Sequence, residues 1–158
     1  MSKFKKNKGG GTPAISTASL PDIVFMLLFF FMVTTVMREI TLKVENSKPF
    51  ATEIKKLERK SLVTYIYVGK PKAAYLSQVG GEPRIQLNDA FARIKELQPF
   101  VITEREAINE AERPLMTVSI KADEQVKMGL VTDIKQELRK ANSLKINYST
   151  RKGDVYED

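Results

Sequence analysis

One residue stands out as able to do chemistry. Between Lys8 and Arg38 the only charged side chain is Asp22, at the start of LPDIVFMLLFFFMVTTVM, residues 20–37, which is unbroken in apolar residues over 23–33. An acid at the centre of a membrane helix costs about 2.5–3.5 kcal/mol on insertion scales, so such acids face a protein interior or an aqueous path. Two roles fit. In the first, Ser19-Leu20-Pro21-Asp22 is an S-x-x-D capping box. Ser19 caps, Pro21 tolerates its missing donor in the first turn, and Asp22 meets unpaired amides at the positive end of the helix dipole. In the second, Asp22 carries a proton. It stands about 24 Å of helix ahead of Arg38, at 1.5 Å per residue, within the near third of a bilayer. Taken out of water by a partner's helices, a carboxyl there can alternate between charged and neutral forms. A charge moved through 100 mV gains about 2.3 kcal/mol, comparable to the insertion cost. The spacing accommodates both roles.

Other chemistry is scarce. The chain has no His and no Cys, which removes the usual neutral-pH acid/base, the commonest metal ligands and any disulfide. Ser and Asp are scattered without a nucleophile motif. Glu104, Glu106, Glu110 and Glu112 have the pattern of a solvated face, not of a metal site. The expectation is a non-enzyme without metal or cofactor. The net charge of +7 divides between tail lysines and a mixed surface. Without aromatic and basic residues interleaved for stacking, it does not point to nucleic acid.

The elements that must position Asp22 begin with the hydrophobic run. A membrane helix needs about 20 mostly apolar residues, which a span over 19–37 approaches. Phe25, Phe29, Phe30 and Phe31 put bulk on every face, as lipid exposure requires. A cleavable signal peptide is the competitor. The length of the run, Pro21-Asp22 at its start and the lack of a small-x-small site near 33–37 argue against it. Lys3, Lys5, Lys6 and Lys8 precede the run without an acid, so the positive-inside rule puts the basic tail, 1–18, in the cytoplasm and the remainder outside.

Beyond the span, 38–60 reads as a linker with a short amphipathic helix over 51–60, carrying Ile54 and Leu57. Residues 62–68 read as a strand, Gly80-Gly81 as a hairpin and 84–87 as its return. Asn88 is placed to cap a helix with Phe91, Ile94 and Leu97, stopped by Pro99. Thr103-Glu-Arg-Glu106 is placed to start another, running to Glu112. A strand follows over 115–121, then a helix over 128–141 with Val131, Ile134 and Leu138 inward, and a strand over 145–150. The whole of 61–150 is expected to be an α+β domain with helices packed on one face of a mixed β-sheet, and 151–158 a frayed tail. Its strand edges offer strand addition to a partner, or dimerisation through the last strand.

Two stretches carry a resemblance. They are residues 15–35, ISTASLPDIVFMLLFFFMVTT, and Val118-Ser-Ile-Lys-Ala-Asp123 followed by Val126-Lys-Met-Gly-Leu-Val131 and the helix to Ala141. Together they resemble the ExbD/TolR family. The resemblance implies a single-pass protein of the bacterial inner membrane, with a periplasmic domain and a proton-motive-force-coupled role in energising TonB-dependent outer-membrane transport. Asp22 is then the proton-carrying residue, and Ser19 and Pro21 lie at the helix start beside the pore. Protons are the coupling ion and no cofactor is implied. The implied partners are an ExbB/TolQ-like multi-span oligomer, a TonB-like energy transducer or the cell wall, and a second copy in a homodimer. A TolR-like envelope-maintenance subunit and a membrane-tethered binding module without proton conduction are the alternatives. A flagellar or gliding stator subunit usually carries a longer wall-binding domain. Three departures stand out. Pro21 directly precedes the acid where the family often has Pro three positions earlier. Met128 stands where the family has Tyr, and Val44-Glu-Asn-Ser-Lys-Pro49 replaces Val-x-Leu-Pro.

Overall fold

The computed structural model describes Gly10, Thr17, residues 19–34 and residues 39–153. Apart from Gly10 and Thr17, the expected tail 1–18 lies outside the described residues, as do 35–38 and 154–158. The chain divides into two units, Met1–Glu39 and Ile40–Asp158.

In the first unit, helix α1 runs from Ser19 to Thr34, 16 residues with none buried. Pro21 falls in its first turn, where backbone amides have no partner inside the helix, so its missing N–H costs nothing. The Thr34 hydroxyl donates back to the Phe30 carbonyl at 2.9 Å, so the last turn keeps a polar group within its own backbone. At 1.5 Å per residue α1 is about 24 Å long, against about 30 Å of hydrocarbon. The expected helix over 19–37 is therefore described only to Thr34, and among the described residues no helix is long and apolar enough to cross a membrane.

The second unit is built on one mixed sheet. Its strands are β2 (Val63–Gly69), β3 (Arg84–Leu87), β4 (Ala90–Ala92), β5 (Thr117–Ala122) and β6 (Ile146–Tyr148), in the order β4-β3-β2-β5-β6. β2 pairs antiparallel with β3 and parallel with β5; β4 and β6 are the edges. Alternation decides which side chains go inward. Ile66 and Val68 of β2, and Val118 and Ile120 of β5, join one buried cluster with Leu97 and Val101 of α3 (Leu97–Ala107) and Ile134 and Leu138 of α4 (Met128–Lys140). The α+β expectation with helices packed on a mixed sheet agrees with this.

Several local expectations are corrected. No helix forms over 51–60. Phe50–Ala51 is a short strand, β1, parallel to β7 (Arg151–Lys152), and 52–59 is irregular. Ile54 and Leu57 are too few to bury a stripe, and a helix that short is marginal without tertiary packing. The frayed tail likewise gives way at its start, since the Arg151 amide donates to the Pro49 carbonyl at 2.8 Å. The β2–β3 connection is no tight hairpin, because a short helix, α2 (Leu76–Val79), precedes Gly80.

Asn88 caps nothing. It sits at φ 49° in the two-residue turn between Leu87 and Ala90, which places Phe91 in β4. Asn tolerates that left-handed backbone, and such turns favour it. Pro99 does not stop a helix either; it lies in the first turn of α3, where no bond is lost. Thr103 is mid-helix, its hydroxyl donating to the Pro99 carbonyl at 3.0 Å, and α3 ends at Ala107 instead of continuing to Glu112.

Candidate functional site

The first site is the opening turn of α1. Ser19, Pro21 and Asp22 all lie there, so the residues singled out from sequence are brought together. Asp22 is the acid of that turn and is exposed. From Asp22 a stripe of Met26, Phe29 and Val33 descends at helical spacing, and every large apolar residue of α1 is at least half exposed. Fifteen apolar or neutral neighbours around one acid leave the helix dipole as the nearest favourable field, positive at this end. A surface so apolar must be covered by lipid or by protein. Among the described residues no group of three or more acids could hold a metal ion.

The second site is a latch on the second unit. Residues 41–48 cross the end of the sheet as an extended strap. The Lys72 amide donates to the Lys43 carbonyl at 2.8 Å and the Glu45 amide to the Lys70 carbonyl at 2.7 Å. Gly69 is required beneath this strap, because a Cβ there would run into the Glu45 carbonyl. Buried Gln86 accepts from the Lys43 amide at 2.7 Å and donates to the Thr41 carbonyl at 2.7 Å. Asp123, 8% exposed, accepts from the Ser47 amide at 2.6 Å and from the Gln125 amide at 3.3 Å. Asn46 donates to the Lys121 carbonyl at 2.6 Å. The Lys121-Ala-Asp123 motif is therefore the anchor of the strap. Sequence reasoning placed 38–48 in a plain linker and missed the latch; the short polar pair Asn46-Ser47 was its only signal.

On the sheet face away from the core, the Lys121 ammonium lies 4.2 Å from the Tyr65 ring centre and 5.1 Å from that of Tyr67. Burial, then the Lys48 charge, lowers the Lys121 pKa; burial, then Tyr65, raises that of Tyr67.

A family model described as "Biopolymer transport protein ExbD/TolR" matches residues 8–153. No curated protein matches the chain.

Proposed function

The chain belongs to the ExbD/TolR family of biopolymer transport proteins, and on that premise we propose that it is the proton-motive-force-coupled subunit of an inner-membrane motor of ExbB-ExbD type, energising TonB-dependent outer-membrane transport. In this reading the apolar segment 19–37 crosses the inner membrane with the basic tail in the cytoplasm. It sits, as one of a pair, inside an oligomer of an ExbB/TolQ-like multi-span protein. The observation that carries the reading is a helix exposed and apolar all round with one acid in its first turn.

Taking up H⁺ at Asp22 removes a charge whose burial costs about 2.5–3.5 kcal/mol, and releasing it restores that charge. The helix thus prefers different surroundings in its two states. A membrane potential supplies about 2.3 kcal/mol per charge per 100 mV, enough to bias the exchange. Movement passes through residues 38–60 to the α+β domain, which engages a TonB-like transducer or the cell wall.

The test is complementation of energised outer-membrane uptake. Asp22→Asn, which keeps size and hydrogen bonding but cannot ionise, is expected to abolish uptake, while Asp22→Glu retains part of it. Uptake undiminished in the Asn variant, or after α1 is exchanged for an unrelated membrane anchor, would identify a tethered binding module instead.

A further inference from the structure

A cleft of about 320 Å³ opens between residues 54–60 and the end of β6. Five lysines border it, Lys48, Lys55, Lys56, Lys60 and Lys121, and no carboxylate does. None of the five forms an ion pair with a described residue; the ion pairs found are Arg59–Glu112, Lys140–Glu137 and Arg151–Glu124. Burial and the neighbouring Lys48 already work against the charge on Lys121. Like charges gathered without counterions are relieved by a bound anion.

Two features select the kind of anion. Ile54, which lines the cleft, is 48% exposed. Tyrosines 65 and 148 also border the cleft. Lysines beside exposed aliphatic and aromatic side chains are the composition of a surface that settles into lipid headgroups. A soluble polyanion would use the charges and leave the apolar groups in water. We propose that this cleft binds the phosphate headgroup of an anionic phospholipid and so rests the second unit on a membrane surface. Proximity to a bilayer rests on the membrane span proposed above; the binding chemistry does not.

The experiment uses the full chain in neutral-detergent micelles, with the acetylation rate of each lysine read by mass spectrometry. Added dihexanoyl phosphatidylglycerol is expected to slow labelling of Lys55, Lys56, Lys60 and Lys121 about tenfold at saturation. Lys95 and Lys140, on other surfaces, keep their rates. Dihexanoyl phosphatidylcholine gives no protection and inorganic phosphate only weak protection. Lys55→Gln with Lys56→Gln, both exposed, is expected to weaken the effect on the remaining lysines about tenfold with unchanged melting. The proposal is overturned by equal protection from phosphatidylcholine or from free phosphate, by insensitivity to the double replacement, or by protection from acidic cell-wall peptides with none from the lipid. No proton flux enters the readout, so a failure of the Asp22 mechanism leaves this result independent.

Discussion

At the residue scale, two acids show how surroundings set a role. Asp123 is buried and spends both carboxyl oxygens on amides, Ser47 and Gln125. Such a group is held in place by its hydrogen-bond partners, and its work is structural. Asp22 has an apolar helix around it and stands open to whatever covers that helix. Lys121 and Tyr67 make a second contrast, one that pH can read. The folded pKa of Lys121 lies below its ordinary 10.5. Just below that value the unfolded chain holds a proton that the folded protein has released, so stability rises with pH across the window. For Tyr67, raised above its ordinary 10.0, the unfolded chain loses its proton first, and stability falls as pH climbs beyond that value. Urea-unfolding midpoints measured from about pH 8.5 to about pH 11 should therefore show a rise that Lys121→Gln flattens. They should also show a later fall that Tyr67→Phe removes. Unchanged curves in both variants would contradict these assignments.

At the scale of elements, strong periodicity was readable and local punctuation was not. β2, β5 and α4 follow directly from β-branched alternation and from Val131, Ile134 and Leu138 on one helical face. Asn88 and Pro99 misled because each has a second use. Asn turns a tight hairpin as readily as it caps a helix, and Pro sits in a first turn as readily as it ends a last one. Residues 50–51 and 151–152 pair across a hundred residues of chain, and no local pattern announces such a partner. The latch was hidden for the same reason, since Ser47 and Asp123 meet only in the fold. At the candidate site, Asp22 with Ser19 and Pro21 was legible because it interrupts an uncharged run. The lysine cleft was not, because its walls come from five separate stretches of chain. The strap has its own test. Gly69→Ala forces a methyl against the Glu45 carbonyl and should cost about 1–3 kcal/mol, as overpacking generally does. Chemical denaturation measures that loss, and hydrogen exchange at the Glu45 and Ser47 amides should quicken. A variant as stable and as protected as the parent would show that the strap does not press on the sheet.

At the scale of the whole molecule, the two units divide the labour. The first carries one ionisable group on an apolar helix; the second has its own core, a latch over the sheet end and a basic cleft. Family membership joins them in one transport function, and the proposed mechanism makes Asp22 the point where proton energy enters. The direct measurement is proton flux in proteoliposomes. The chain is co-purified with its multi-span partner, reconstituted, and challenged with an imposed potential while internal pH is followed. The account predicts flux well above that of protein-free vesicles for the parent complex, a reduced flux for Asp22→Glu, and only background for an intact complex bearing Asp22→Asn. Parent-level flux through the Asn complex would contradict it.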